Sequence, residues 1–195
     1  SMSQSFESFI VNLKNIKSEA KIITVTSATP SNGKSYTCYN LTKRLALLGY
    51  KVLLIDADQK RGGLHKDFNK EKINLDEFNR LQEDASQIEN FKVNENIYLI
   101  PRISRLIESF QLFDSGKFFS IIDKFKEKFD YVVIDTAPFL AVSDTSVIMN
   151  SSDLNFLVVR HELSKPGEIK QAMLNIEQLG NKFDGIIYNA FSKPK

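Results

Sequence analysis

The chain has 195 residues, with 26 lysines and arginines against 24 aspartates and glutamates. Hydrophobic residues make up 42% and charged residues 26%, a composition typical of folded globular proteins that excludes a disordered or collagen-like chain. The net charge of +2 gives no electrostatic support for nucleic-acid binding, and the single cysteine, Cys38, excludes an internal disulfide and a thiolate metal site.

Six short apolar segments rich in valine and isoleucine are predicted to be β-strands. They alternate with helical patterns, which is typical of a parallel sheet whose crossover helices cover both faces. The predicted strands are residues 21–26, 51–55, 97–100, 131–134, 154–159 and 183–188. We therefore expect an α/β fold of three layers, α/β/α, around a mostly parallel, twisted sheet.

Apolar residues at helical spacing predict a helix at the N-terminus, within residues 1–18, and further helices between the strands. Residues 117–128 and 170–179 are two of these, and Gly180 is well placed to end the second. Residues 68–93 are charged, rich in asparagine and only weakly periodic, so this segment receives no assignment.

No linker divides the sequence, so we expect a single domain over residues 1–195, with 193–195 as a short or truncated tail. The longest uncharged run, residues 22–33, is too short to span a bilayer. The single cysteine is expected to be packed in the core, and its isolation suits a reducing cytoplasm.

Residues 28–35, Ala-Thr-Pro-Ser-Asn-Gly-Lys-Ser, follow a predicted strand and open a predicted helix. They match the phosphate-loop pattern GxxxxGK[ST] except that Ala28 replaces the first glycine. In this pattern backbone N–H groups hold phosphate oxygens, the lysine (Lys34) reaches the β- and γ-phosphates, and the hydroxyl (Ser35) ligates Mg²⁺. An ordinary strand–turn–helix with a capping serine is the structural alternative.

Carboxylates follow two other predicted strands. Asp56 and Asp58 come after residues 52–55, and Asp135 comes after residues 132–134. Ligands of open α/β sheets bind beyond the carboxyl ends of the strands, where such carboxylates can hold Mg²⁺ or accept a substrate proton. Each aspartate taken alone could instead be a turn or capping residue, but all three point to the same end of the sheet as the phosphate loop.

At these motifs the sequence resembles the bacterial tyrosine kinases, the cytoplasmic ATPase domains of polysaccharide co-polymerases, which have a MinD/ParA-like P-loop fold. The likeness includes Pro30 within the phosphate loop, the Asp-x-Asp pair at Asp56 and Asp58, and the Asp-x-x-Pro motif from Asp135 to Pro138. It continues through residues 140–144 and 187–189, and extends over about 20–189.

The resemblance implies ATP and Mg²⁺ as cofactors and assigns roles to individual residues. Asp56 would be the base that accepts the tyrosine proton, and Asp58 and Lys34 the other catalytic residues. The metal would be held by Ser35, Asp58 and Asp135, and Asn189 would contact the adenine. Arg160 and His161, at the end of the preceding strand, would line the base pocket, with a surface role for both as the alternative. The implied nucleotide-binding residues are Thr29, Pro30, Ser31, Asn32, Gly33, Lys34, Ser35, Tyr36, Arg160 and Asn189.

The function implied by the resemblance is a protein-tyrosine kinase that regulates capsular or exopolysaccharide synthesis and export. Its substrate would be a tyrosine of the protein itself or of a partner. A membrane-anchored co-polymerase or activator segment would keep the domain at the inner face of the plasma membrane, and a homo-oligomer is possible.

The sequence departs from the family at several positions, and two alternatives stay open. Lys60 stands where the family has arginine, Gln4, Glu7 and Ile10 replace its N-terminal assembly motif, and no tyrosine cluster ends this sequence. One alternative is a nucleotide-dependent assembly switch without kinase activity. The other is a partitioning ATPase of the MinD/ParA type, although Thr29 replaces the signature lysine of that group.

Two other residue groups are predicted to have ordinary structural roles. His65 and His161 lack the spacing of metal ligands, so both are expected to be surface or loop residues. The phenylalanine-rich stretch is predicted to be packed in the core, and its members are Phe110, Phe113, Phe118, Phe119 and Phe125.

Overall fold

Six parallel strands form one sheet at the centre of the structure, a computed structural model that describes residues 2–104 and 116–190. The strands are β1 (Ile22–Ser27), β2 (Val52–Asp56), β3 (Ile97–Ile100), β4 (Tyr131–Asp135), β5 (Leu154–Arg160) and β6 (Gly185–Asn189). Their spatial order is β3-β2-β4-β1-β5-β6. All six predicted strands are confirmed, with ends that differ from the prediction by two residues or fewer.

Helices lie before and between these strands. They are α1 (Met2–Ile16), α2 (Lys34–Leu47), α3 (Leu64–Asp67), α4 (Leu75–Glu83), α5 (Lys117–Phe125), α6 (Asp144–Asn150) and α7 (Pro166–Gln178), with a 3₁₀ helix at Ala85–Phe91. The helix predicted at 170–179 begins earlier, because proline suits a first helical position. Among the described residues, no helix is both long and apolar enough to cross a membrane.

The unassigned segment 68–93 contains α4 and the 3₁₀ helix. Asn74 begins α4 with a capping box, in which its side chain accepts from the Glu77 N–H and the Glu77 carboxylate accepts from the Asn74 N–H. Phe78 and Leu81 are the buried residues of this helix. The helix is only nine residues long, so two apolar positions were too few for a periodic signal.

Successive strand residues pack on opposite faces of the sheet, as the pleat requires. Leu53 and Ile55 lie in one core cluster with residues of α4 and α5, whereas Val52 and Leu54 lie in another with residues of α1 and α2. The predicted three-layer α/β/α architecture is therefore confirmed. Of the phenylalanine-rich stretch, Phe118 and Phe125 are buried and Phe119 is partly buried, whereas Phe110 and Phe113 lie outside the described residues, as does the tail at 193–195.

The expectation that helices cover both faces of every strand is wrong for β6. This strand lies at an edge of the sheet and pairs only with β5. Its side chains alternate in exposure, with Ile186 54% and Tyr188 52% exposed. The run Gly-Ile-Ile-Tyr-Asn is uniformly apolar at its centre, so composition alone suggested a fully buried strand.

The connections of β1 and β4 place the site at the carboxyl edge of the sheet. From β1 the chain crosses towards β2, and from β4 it crosses in the opposite direction towards β5. Open α/β sheets bind ligands where neighbouring connections diverge in this way. The register also places Asp135 opposite both Val25 of β1 and Asp56 of β2, so the loop after β1 and the two acidic strand ends lie side by side.

Candidate active site

The phosphate-loop segment connects β1 to α2 and leaves the N-terminus of that helix uncapped by any side chain. Gly33 is the N-cap and has a left-handed backbone with φ 89°, and no acidic residue lies in the first turn. The first N–H groups of a helix lack intrahelical acceptors and carry the positive end of its dipole. This helix terminus is therefore built to accept an anion such as a phosphate.

Asn32 organises the loop from within and is completely buried. Its Nδ2 donates to the Thr29 carbonyl oxygen at 2.8 Å, and its Oδ1 accepts from the Ser164 hydroxyl at 2.6 Å. The Ser27 hydroxyl also donates to the Thr29 carbonyl, at 2.6 Å. Pro30 and Ser31, by contrast, are exposed on the outer side of the loop.

Lys34 and Asp58 form a buried ion pair beside the loop. The Lys34 Nζ lies 3.9 Å from Asp58 Oδ2, and the two side chains are 8% and 4% exposed. The other carboxylate oxygen of Asp58 accepts from the backbone N–H groups of Lys60 at 3.2 Å and Arg61 at 2.9 Å. Asp58 thus fixes both the lysine ammonium and the turn that follows β2.

Asp56 ends β2, and only one of its two carboxylate oxygens accepts a hydrogen bond within the described residues. Its Oδ2 accepts from the Leu64 N–H at 3.2 Å, whereas its Oδ1 is buried and has no hydrogen-bond partner among the described residues. Burial raises the pKa of Asp56 well above its ordinary value, and the neighbouring carboxylates of Asp135 and Asp58 raise it further.

Asp135 ends β4 and is completely inaccessible to solvent. Neither of its carboxylate oxygens has a hydrogen-bond partner within the described part of the chain. Burial raises the pKa of this carboxyl group to about 7, and the nearby Lys34 ammonium and Ser35 hydroxyl only partly offset that effect. A buried carboxylate with no partner is costly, which indicates that the site is completed by a ligand.

The donor set fits Mg²⁺. Asp135 offers two unpartnered carboxylate oxygens, Asp58 adds a buried carboxylate beside Lys34, and Ser35 adds a hydroxyl in the first turn of α2. Across residues 2–104 and 116–190, no three His, Cys, Asp or Glu side chains lie close enough to hold a metal by themselves. Mg²⁺ in phosphate sites usually has one or two carboxylate ligands together with waters and phosphate oxygens, so few protein ligands are needed.

Three residues that sequence reasoning missed shape the loop after Asp56. A Cβ atom on Gly62 would lie 2.1 Å from Asp56 Oδ1, so only glycine fits there. The Gln59 side chain donates to the Asp56 carbonyl at 3.1 Å and accepts from the Ile103 N–H at 2.9 Å. Arg102 Nη1 donates to the carbonyls of Gln59 and Lys60, at 3.2 and 3.1 Å. In the sequence, the adjacent glycines Gly62 and Gly63 could have indicated this loop, whereas nothing indicated the role of Arg102.

Arg160 and Asn189 contact the outer side of the phosphate loop. Arg160 Nη1 donates to the Ser31 carbonyl at 3.0 Å, and Asn189 Nδ2 donates to the Asn32 carbonyl at 3.0 Å. The structure therefore brings both residues to the loop, and their predicted contact with the nucleotide base stays a prediction. Tyr36 is 46% exposed, and the Lys60 side chain is also exposed.

The expectation for His65 is wrong, because this histidine is 6% exposed in α3. It follows Leu64, whose N–H is bonded to Asp56, so the short helix is drawn into the protein. Burial lowers the pKa of His65, and the cationic Lys72 and Arg102 lower it further. His161 is half-buried, and its Nδ1 lies 2.7 Å from the Tyr188 hydroxyl. Cys38 is buried, as expected.

Comparison with known proteins identifies close relatives of this arrangement. A family model described as an AAA domain matches residues 20–187. Tyrosine-protein kinase CpsD of Streptococcus pneumoniae is 30% identical over 192 residues, which cover 94% of this chain and 82% of the relative. Tyrosine-protein kinase ptk of Acinetobacter johnsonii is 32% identical over 169 residues, which cover 86% of this chain. The chain spans only 23% of the length of that second kinase.

Solved structures show the same fold. The kinase domain of Escherichia coli tyrosine kinase Etk has a TM-score of 0.81 at 24% identity, covering 99% of this chain and 78% of that structure. MinD from Pyrococcus horikoshii, complexed with Mg-ADP, has a TM-score of 0.69 at 24% identity, covering 90% of this chain and 72% of that structure. The fold is that of a nucleotide-binding P-loop ATPase, and by sequence the chain belongs to the bacterial tyrosine-protein kinase family.

Proposed function

We propose that this chain transfers the γ-phosphoryl group of Mg·ATP to the hydroxyl of a protein tyrosine. The observation that carries the proposal is Asp56, a buried carboxylate at the phosphate-loop edge of the sheet with one unpartnered oxygen and a raised pKa. A carboxylate in this state is a stronger base than an ordinary aspartate. A site that only binds nucleotide has no need of such a group.

ATP binding would use groups that the structure already orients. The uncapped N-terminus of α2 supplies backbone N–H donors for phosphate oxygens. The Lys34 ammonium, held near the loop by Asp58, supplies a positive charge at the β- and γ-phosphates. Phosphoryl transfer depends mainly on positioning and charge neutralisation, which these groups provide.

In the proposed transfer step, Asp56 accepts the proton of the tyrosine hydroxyl. The tyrosine oxygen forms a bond to the γ-phosphorus while the bond from that phosphorus to the bridging oxygen of ADP breaks. Because the pKa of tyrosine is near 10, its proton must leave as the new bond forms. Oδ1 of Asp56 is the acceptor, and its raised pKa brings the carboxylate closer to the tyrosine in proton affinity.

We propose that Ser35, Asp58 and Asp135 hold Mg²⁺. When bound, this ion neutralises negative charge on the phosphate oxygens. Asp135 supports the assignment, since both of its oxygens are buried without hydrogen-bond partners within the described residues. Asp58 would contribute through the oxygen that lies 3.9 Å from Lys34.

We also propose a cellular role in the control of capsular or exopolysaccharide synthesis and export, at the inner face of the plasma membrane. A membrane-anchored activator would recruit the domain, and its substrate would be a tyrosine of that activator or of a second copy. Relatives of two lengths support this arrangement, since the chain spans 82% of one kinase and 23% of another. A kinase unit of this size thus occurs both nearly alone and within a longer protein.

The partitioning-ATPase alternative is not favoured. That group carries a lysine at the position of Thr29, and the Thr29 hydroxyl here donates to the Glu168 carboxylate at 3.2 Å. An uncharged side chain tied to α7 cannot reach the phosphates of a partner subunit as a lysine can. No comparable observation supports a switch without kinase activity.

The test of this function separates nucleotide binding from transfer. We expect Asp56→Asn to reduce phosphorylation of a tyrosine peptide by about 10²–10⁴-fold, the usual contribution of a general base. ATP affinity measured by calorimetry should change far less, because the Asp56 carboxylate accepts its hydrogen bond from the Leu64 N–H and not from the phosphate loop. Asp123→Asn, a change of an exposed carboxylate on α5, is the matched control. Equal losses of binding and transfer in Asp56→Asn would make Asp56 a metal ligand rather than the base.

A further inference from the structure

The phosphate loop is held from outside by residues at the end of β5, in the β5–α7 connection, in α7 and at the end of β6. We call this set the outer clamp, and its members are Arg160, Ser164, Glu168 and Asn189. Asn189 and Arg160 donate to the carbonyls of Asn32 and Ser31, both at 3.0 Å. Ser164 donates to the Asn32 side chain at 2.6 Å, and Glu168 accepts from the Thr29 hydroxyl at 3.2 Å.

The side-chain amide of Asn189 is hydrogen-bonded at both of its polar ends. Its Nδ2 donates to the Asn32 carbonyl at 3.0 Å, and its Oδ1 accepts from the Ala190 N–H at 2.9 Å. The amide lies directly against the loop, because a Cβ atom on Gly33 would be only 2.0 Å from Nδ2. Both polar ends of this side chain are therefore directed at protein backbone.

The loop needs such support because part of its backbone is strained. Ser31 has φ 68° and Gly33 has φ 89°, both in the left-handed region. A non-glycine residue costs roughly 1–2 kcal/mol in that region. The contacts of Arg160 and Asn189 reach the carbonyls of Ser31 and Asn32, so they act directly on the strained segment.

We infer that Asn189, together with Ser164, is a positioning residue that holds the phosphate loop in its anion-binding conformation, and that it does not select the base. This inference rests on the proposed function, because it requires that the loop bind the phosphates of a nucleotide. If it is correct, the contribution of Asn189 to affinity depends on the phosphates alone. If Asn189 contacts the adenine, its contribution depends on the base.

The test compares three ligands that share phosphates and differ in the base, namely ATP, GTP and inorganic tripolyphosphate, each with Mg²⁺. For Asn189→Ala we expect Kd to rise about threefold to tenfold for all three ligands, the effect of losing one neutral hydrogen bond. Ser164→Ala should also raise the Kd for all three ligands. Asn175→Ala, which removes an exposed amide on α7, is the control and should leave all three unchanged.

Hydrogen exchange supplies an independent readout on the nucleotide-free protein. Amides of residues 28–36 should exchange faster in Asn189→Ala and in Ser164→Ala, while those of β1 and β4 keep wild-type rates. General destabilisation would instead accelerate exchange throughout the sheet, and that result would overturn the inference. Ser164→Ala retains the Asn189 contacts, so it tests the outer clamp even where Asn189→Ala folds poorly.

Two results would contradict the inference in binding experiments. A rise in Kd for ATP alone, with tripolyphosphate unaffected, would show that Asn189 contacts the adenine. Unchanged Kd for all three ligands would show that the outer clamp has no effect on the loop. A uniform loss of affinity in a protein that produces no phosphotyrosine would support the outer clamp and reject the proposed kinase function.

Discussion

Replacing Gly62 with alanine tests whether the carboxylate of Asp56 must be held where the structure places it. A Cβ atom at this position would lie 2.1 Å from Asp56 Oδ1 and 2.5 Å from the Asp58 carbonyl oxygen. Ordinary contact begins at 3.4 Å, so the carboxylate or the loop must move by about 1.3 Å. A displacement of about 1 Å at a catalytic group can reduce the rate about 10²-fold.

We therefore expect Gly62→Ala to lower kcat for a tyrosine peptide about 10²-fold and to change ATP affinity by a smaller factor, because the atom nearest to the added Cβ belongs to Asp56 and not to the phosphate loop. Initial-rate kinetics and calorimetry measure the two quantities. The overpacked loop should also lower the free energy of unfolding by about 1–3 kcal/mol. Thermal unfolding will show whether enough folded protein is present at the assay temperature.

Gly63→Ala is the matched control, because the nearest heavy atom to its Cβ would be the Arg61 carbonyl oxygen at 4.0 Å. This variant should keep kcat close to the wild-type value. The reasoning would be refuted if Gly62→Ala also kept wild-type kcat, or if the two alanine variants lost activity equally. Either result would mean that the position of the Asp56 carboxylate does not limit transfer.

Two further predictions concern the buried charges at the site. Lys34→Ala should raise the Kd for ATP about tenfold to a hundredfold in calorimetry, the loss of one charge-assisted contact of about 1.5–3 kcal/mol, and unchanged affinity would reject the phosphate-loop assignment. Asp135→Asn should stabilise the nucleotide-free protein in denaturant unfolding, by on the order of 2 kcal/mol at pH 8 and by less at pH 5. Because the pKa of Asp135 is raised in the folded state, folding binds a proton and wild-type stability falls as pH rises from the ordinary aspartate pKa to the raised value. A gain that was larger at pH 5 would contradict this assignment.

The strands and the acidic groups at their ends could be predicted from sequence because each is a local signal. A buried valine- and isoleucine-rich run followed by aspartate needs no tertiary information, and the parallel arrangement brings Asp56 and Asp135 together in register. The phosphate loop is equally local, with its lysine one residue after the glycine that begins α2. These features account for the fold and for the centre of the site.

The supporting residues could not be predicted, because their partners are distant in sequence. Asn189 and Asn32 are 157 positions apart, and Arg102 and Gln59 are 43 apart. Nothing around Arg102 indicates that its guanidinium binds carbonyls of the loop after Asp56. His65 was misassigned for a related reason, since its burial follows from the backbone bond between Leu64 and Asp56.

The resemblance also left open whether α1 assembles copies of this chain. Glu7 pairs with Arg44 of α2 at 3.7 Å, and Ile10 is 4% exposed in the core, so α1 packs on its own chain. The side chain of Gln4 lies outside the described part of the structure. These contacts therefore give no support for oligomeric assembly through α1.

The most direct test is the ratio of phosphotyrosine to ADP formed when the chain is incubated with Mg·ATP and a tyrosine peptide. Mass spectrometry measures phosphotyrosine on the peptide and on the chain, and a coupled assay measures ADP. If the chain is a kinase, phosphotyrosine and ADP should form in nearly equal amounts, and both should fall in Asp56→Asn. Release of ADP without phosphotyrosine on either molecule would contradict the kinase mechanism and leave an ATPase.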